Sequence, residues 1–253
     1  MDFYIDKLRE ILKENNVCVS HGIEHAINVM NHSRMAILSE LTFLKSFEYK
    51  SIMLAALLHD ADDNKFFPNN KNYENVRKIL ADEEPEILNL VIKMVDLVSS
   101  SKNGDTIPDS IKNEKWMLIP RYSDRLEAMG LIGISRCYQY SKTTNNPLYL
   151  PSNSEFKTPT ARPKSEKEIW EVATPERYKQ YTGKSVSMID HYYDKLLRCT
   201  FFPVKNYHFN KHCEERRQVL IDFILYFSNK EDFNDKDVLD FIENYKTNHF
   251  NSS

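Results

Sequence analysis

Apolar residues recur along most of this chain at the three- and four-residue spacing of an α-helix, and polar gaps divide the pattern into elements. From Phe3 to Glu14 the apolar positions 4, 5, 8, 11 and 12 mark one helix face, and Asn15-Asn16 ends it. A second helix is predicted from about His25 to Leu41, with Ser20 or His21-Gly22 near its start. A third covers about Tyr49 to His59, and its segment Ile52 to Leu58 is apolar enough to read as a core helix. Asp60 to Asn72 is polar, contains Pro68-Asn69-Asn70 and reads as a loop. Tyr73 to Leu80 and Pro85 to Val98 give two further helices, the second opened by proline in its first turn, and Ser99 to Ile111 is another loop.

Trp116 to Gln139 reads as one long periodic stretch, with Leu118, Ile119, Tyr122, Leu126, Met129 and Ile132 on one side. The character changes at Ser141: prolines 147, 151, 159, 163 and 175 punctuate a Ser-, Thr- and Lys-rich segment reaching about Lys184. An irregular stretch of that length is usually functional or disordered. It is expected to be a lid or insertion, with a short helix near Glu166 to Val172. Helical spacing resumes at Val186 to Leu197 and at Cys213 to Phe227, and Asp235 to Tyr245 is a last amphipathic helix. The expected fold is all-α, a helical bundle in one domain over residues 1–253. Its core spans about 3–140 and 186–228, with 141–185 as the insertion or lid and 229–253 as C-terminal helix and tail.

Composition narrows the function classes. A chain of 253 residues can bury a full core, and 41% hydrophobic with 28% charged residues is ordinary globular content. A net charge of −3 gives no electrostatic footprint for DNA or RNA, although a few local cations suffice for a small nucleotide. Cys18, Cys137, Cys199 and Cys213 lie far apart without a C-x-x-C pair, which fits reduced thiols in a cytosolic compartment. Acids among the first residues argue against a signal peptide, and no apolar run reaches the roughly 18 residues of a membrane span. The expectation is a cytoplasmic protein with no membrane or nucleic-acid partner, and with homo-oligomerisation left open.

The chemistry-bearing feature is His59-Asp60, an adjacent histidine and carboxylate ending the apolar helix. Such a pair can simply be a helix end, where histidine favours the dipole and aspartate takes solvent. It can also deliver two metal ligands to one point. His25 and His21 on or before the preceding helix, and Asp124 on a later one, are the residues that could complete a site. Two imidazoles with two carboxylates form a mixed N/O set suited to Mn²⁺, Fe²⁺, Co²⁺, Ni²⁺ or Zn²⁺ more than to Ca²⁺, and Mg²⁺ is less natural with two imidazoles.

In order and context, His25-Ala-Ile-Asn-Val, Leu-Leu-His59-Asp60 and Tyr-Ser-Asp124-Arg-Leu resemble the H…HD…D signature of the HD superfamily of metal-dependent phosphohydrolases. The segment Asp124-Arg-Leu-Glu-Ala-Met-Gly-Leu-Ile-Gly-Ile, Asn146-Pro-Leu-Tyr149 and His191-Tyr-Tyr-Asp-Lys-Leu-Leu resemble the bacterial YpgQ/YedJ-like nucleotide pyrophosphohydrolase branch. The resemblance runs from about Val19 to Phe227. It implies an HD-type helical fold, His25, His59, Asp60 and Asp124 as metal ligands, and hydrolysis of nucleoside or deoxynucleoside triphosphates to monophosphate and pyrophosphate. It places Asp63 as the acid that orients the attacking water, with Asp62 as spare. Asp63-Asn64 departs from the acid-acid pair of many tetraphosphate hydrolases. No histidine occurs from Ala61 to Ser123, so one ion is expected, Mn²⁺ first and Ni²⁺, Co²⁺, Fe²⁺, Zn²⁺ or Mg²⁺ as alternatives.

Lys65, Lys195, Arg125 and Arg136 are candidate phosphate-binding cations, and Tyr149 is a candidate base contact. His21 is either a helix-start residue or a substrate contact. Other phosphoester specificities remain open on the same site, such as a nucleotide phosphatase or a signalling-nucleotide phosphodiesterase. So does a non-catalytic module in which the metal staples helices together.

Overall fold

The helical spacing is realised throughout the computed structural model, which describes residues 1–40, 44–152, 158–203 and 205–250 and shows no strand among them. The helices are α1 Asp2–Glu14, α2 Ile23–Leu38, α3 Ser46–Leu58, α4 Glu74–Ile79, α5 Pro85–Val98, α6 Ser100–Asn103, α7 Ile119–Glu127, α8 Gly130–Thr143, α9 Glu166–Val172, α10 Pro175–Lys179, α11 Met188–His191, α12 Tyr207–Ser228 and α13 Asp235–Phe250. Helices α5 and α9 have the expected bounds. The end expected at Leu41 lies outside the described residues.

Two expectations need correction. The long stretch from Trp116 to Gln139 is not one element: a 3-10 turn at Lys115–Leu118 leads into α7, and the chain breaks before α8. The break is built on glycines, because Gly130 has φ +66 and a Cβ on Gly133 would sit 2.3 Å from the Ala128 carbonyl carbon. Periodicity continues across the break because both segments bury apolar residues. The Val186–Leu197 stretch is likewise subdivided, into α11 and a π turn at Tyr192–Leu196.

The chain forms two compact units, one of Met1–Glu127 with Phe202–Lys211 and one of Ala128–Phe201 with His212–Ser253. In the first unit α3 is central. Every residue from Ser51 to Leu58 is buried, as a helix apolar on all sides must be, and α2, α5 and α7 pack around it. Helix α2 contributes Ala26, Val29, Met30, Ala36 and Ile37, α5 contributes Ile87, Val91, Met94 and Val95, and α7 contributes Tyr122 and Leu126. Ser33 on α2 donates to Ser123 on α7 at 2.8 Å, a buried polar contact that sets one helix against the other. Asn206 completes this unit, donating to the Ala36 carbonyl at 3.0 Å.

In the second unit the core comprises Ile134, Ile169, Met188, Ile189, Tyr192, Tyr193, Leu197, Phe223, Ile224 and Phe227. The described part of the proline-rich segment belongs to this unit. Thr160 is buried, donates to Asp190 at 2.6 Å and accepts from the Leu150 amide at 2.8 Å. The carbonyls of Pro147 and Leu148 accept from the amides of Met188 and Ile189 at 2.8 and 2.9 Å. Ser165, Thr174 and Ser187 each cap the helix they precede. The four cysteines form no disulfide. Among the described residues no helix is long and apolar enough to cross a membrane.

Candidate metal centre

Three elements of the first unit bring four side chains to one place. His25 stands in the first turn of α2, His59 closes α3 and Asp60 follows it, and Asp124 lies on α7. The Nε2 atoms of His25 and His59 are 3.1 Å apart. Asp60 Oδ2 lies 3.9 Å from His25 Nε2 and 3.4 Å from His59 Nε2, while Asp124 Oδ1 lies 3.3 and 3.6 Å from the same atoms. Donors about 2.0–2.2 Å from a shared ion stand roughly 3.0 Å apart at octahedral angles and roughly 3.4 Å at tetrahedral ones. The spacings about the two histidine nitrogens approach those of a shared ion, with Asp60 at 3.9 Å from His25 the widest. His25, His59 and Asp60 place one ligand atom each within 4.8 Å of one another; Asp124 reaches both histidines but stands outside that group.

The helix end itself prepares His59. Its Nδ1 donates to the Ala56 carbonyl at 2.9 Å, one of the carbonyls left without an intrahelical partner where α3 stops. That bond turns Nε2 away from the helix and towards the other donors.

Burial alone would lower the His59 pKa, but the charges of Asp60 and Asp124 and the Ala56 carbonyl push it up to about 9. Burial opposes ionisation of Asp60 as well, yet His59, His21 and His25 hold its carboxyl well below the usual carboxylate range. Asp124 is lowered in the same way, against burial, by its hydrogen bond to His25 and the charge of His59.

An ion must displace the His59 proton, so metal and proton compete. Apparent metal affinity is expected to rise by roughly tenfold per pH unit through neutral pH and to level above about 9. In the metal-free protein the same proton stabilises the fold fully below the ordinary value of 6.5, and that contribution is lost as pH rises through about 9. Chelator-competition titrations across this range check the first point; a flat affinity would remove His59 from the ligand set.

The other expected residues divide. His21 stands beside the cluster, its ring 6.3 Å from that of His25 and 5.1 Å from that of Phe66, with Ser20 Oγ 3.0 Å from its Nδ1. Asp63 follows in the turn after Asp60, where its Oδ1 accepts from the Lys65 amide at 2.9 Å and its Oδ2 lies 3.8 Å from Lys65 Nζ.

Asp62, expected as the spare acid, is engaged by its surroundings. Its Oδ1 accepts from Asn70 Nδ2 and the Asn75 amide, and its Oδ2 from the Val76 amide at 3.0 Å. It caps α4 from outside, because Tyr73 at the N-cap has a left-handed backbone and makes no side-chain cap. Asp62→Ala is expected to cost about 0.5–2 kcal/mol of stability and leave turnover per folded molecule unchanged, as denaturant titration beside an activity assay would show.

Arg125, a phosphate-binding candidate, is engaged by a loop of the first unit. Its guanidinium is buried and donates to Asp105 at 2.8 Å and to the Gly104 carbonyl at 2.7 Å, holding the loop after α6. Arg136, Lys195 and Tyr149 belong to the second unit. Tyr149 packs there against Phe227, with the Arg162 guanidinium over its ring at 4.9 Å, and Lys195 Nζ lies 5.8 Å over the Tyr181 ring.

Residue reasoning assigned no role to Glu127, a buried carboxylate one turn beyond Asp124, nor to Asn28, His32 and His208 near it. A signal existed: positions 25, 28 and 32 form one polar stripe on α2 at helical spacing.

Solved structures share this architecture. A Lactobacillus plantarum protein matches with TM-score 0.63 at 20% identity, over 89% of this chain and 93% of that one. An HD-superfamily hydrolase of Bacillus thuringiensis matches with TM-score 0.55 at 20% identity, over 88% and 92%. Bacillus subtilis YpgQ, solved in complex with ADP, matches with TM-score 0.54 at 17% identity, over 87% and 93%. The chain shares its fold with these structures, among them the one described as an HD-superfamily hydrolase and YpgQ. No family model matches the chain. It belongs to the family of the uncharacterized protein L803 of Acanthamoeba polyphaga mimivirus, with 36% identity over 239 residues, 87% of this chain and 93% of the relative.

Proposed function

We propose that this protein is a metal-dependent phosphohydrolase that cleaves nucleoside or deoxynucleoside triphosphates to the monophosphate and pyrophosphate. The observation that carries the reading is the convergence of two imidazole nitrogens and two carboxylate oxygens at 3.1–3.9 Å on the end of a buried helix. His25, His59, Asp60 and Asp124 hold one divalent ion, Mn²⁺ being the first expectation for this donor set. When bound, that ion supplies Lewis acidity and lowers the pKa of a water molecule.

The remaining work falls to side chains. Asp63 is anchored through Oδ1 by the Lys65 amide, which leaves Oδ2 to orient the attacking water and take its proton. The water oxygen bonds to the α-phosphorus as the bond to the bridging oxygen breaks, and pyrophosphate leaves. Lys65 supplies positive charge for the triphosphate, and His21 beside Asp60 is a substrate contact. The presence of ADP in the YpgQ structure supports a nucleotide ligand on this fold.

The test is a product assay of metal-loaded protein on the common deoxynucleoside and ribonucleoside triphosphates, resolved by ³¹P NMR. Monophosphate and pyrophosphate are expected. Release of nucleoside and orthophosphate would transfer the site to phosphatase chemistry, and no hydrolysis of any nucleotide would remove the enzyme reading.

A further inference from the structure

Behind His25 lies a line of buried and half-buried polar groups that none of the steps above uses. His25 stands in the first turn of α2, where the unsatisfied main-chain groups are N–H donors rather than carbonyl acceptors. It therefore lacks what His59 obtains from Ala56. Its Nδ1 is buried without a hydrogen-bond partner, and Glu127 Oε2 lies 3.9 Å away. Glu127 is 2% exposed, and a buried carboxylate is costly unless it is paired and hydrogen-bonded. Asn28 Nδ2 lies 3.1 Å from Oε2, and His32 Nε2 lies 3.2 Å from Oε1. His32 Nδ1 is in turn 3.0 Å from His208 Nε2.

We infer that Glu127 is a positioning residue for His25: held by Asn28 and His32, its carboxylate accepts the hydrogen bond of His25 Nδ1–H and keeps Nε2 turned towards Asp124 and His59. This rests on the metal reading above. A shortening of roughly 1 Å converts the observed separation into an ordinary charge-assisted hydrogen bond. Helix α7 then supplies two carboxylates one turn apart, Asp124 to the ion and Glu127 to the back of a ligand. The two histidines are oriented by different means, His59 by its own helix and His25 by a neighbouring one.

The experiment uses Zn²⁺ as a diamagnetic probe on the full chain, with long-range ¹H–¹⁵N NMR of the histidines and chelator-competition affinity. In the wild type, His25 is expected to bind zinc through Nε2 and carry its proton on Nδ1. Glu127→Gln is expected to weaken zinc binding roughly 10–100-fold with metal-free melting little changed, and Glu127→Asp to recover part of the loss. Asn28→Leu, at a half-buried position, removes one support of the carboxylate and serves if Glu127→Gln fails to fold; a few-fold loss is expected. A purely packing role would lower the melting temperature while leaving zinc affinity and the His25 signals of the folded fraction in place. Zinc bound through His25 Nδ1, or folded Glu127→Gln with wild-type affinity, overturns the inference while leaving the metal centre intact. A wild type that binds no divalent ion overturns the metal reading itself, and this inference with it.

Discussion

Replacing His59 with alanine is expected to release the divalent ion and abolish hydrolysis. His59 Nε2 is the atom from which the other donors are all close, at 3.1 Å from His25, 3.4 Å from Asp60 and 3.6 Å from Asp124. Removing an outer-shell partner of a metal ligand typically costs about 10–100-fold in affinity; removing the ligand itself should exceed that. Nothing adjacent substitutes for it, since the preceding residues Leu54 to Leu58 are all buried and apolar. The metal-free protein should also lose stability. His59 carries positive charge between two carboxylates up to pH about 9, and the substitution removes that charge together with the bond to Ala56. Breaking a fully buried pair costs roughly 3–5 kcal/mol; Asp60 and Asp124 keep about a quarter of their side-chain surface exposed, which points to less. Elemental analysis of purified variant, thermal melting and the product assay report the three effects. Retained stoichiometric metal with normal turnover would sink the four-ligand centre.

Asp63→Asn should separate chemistry from metal binding. The amide oxygen can still accept from the Lys65 amide, as Asp63 Oδ1 does at 2.9 Å, so the turn after the ligand pair keeps its shape. What disappears is the ability to take a proton. General-base contributions run to roughly 10²–10⁴-fold, and a fall in kcat of that order is expected, with metal content and melting temperature near wild type. Turnover close to wild type would exclude Asp63 as the group that activates water and return the search to other acids near the ion. A parallel loss of metal would instead place Asp63 among the ligands.

Much of the architecture was legible because helical periodicity is a local property. Helix α5 could be bounded from its N1 proline and its apolar stripe, and α3 stood out because apolar character on every side leaves only the core for it. The gap between α7 and α8 was less legible. An apolar stripe on each side of Gly130 masks a break that depends on a left-handed backbone and on close approach of Gly133 to Ala128. The proline-rich segment read as irregular from composition. Its connections through Thr160 to Asp190 and through Pro147 and Leu148 to α11 depend on partners distant in sequence.

The order of His25, His59-Asp60 and Asp124, the apolar helix behind the pair and the all-helical character are written in the chain, because residue type and spacing encode them directly. Which charged side chains are available for chemistry was decided only by tertiary structure. Arg125 and Asp62 have the right chemistry for a phosphate or a water, and folding also engages them with a loop carbonyl and with helix amides. Glu127 gained its place behind His25 because α7 packs on α2 with that turn facing inward. A hydrogen-bonding group has few lone pairs or protons to offer. Its role is settled by whichever partner folding brings within about 3 Å, and spacing along the chain does not contain that distance.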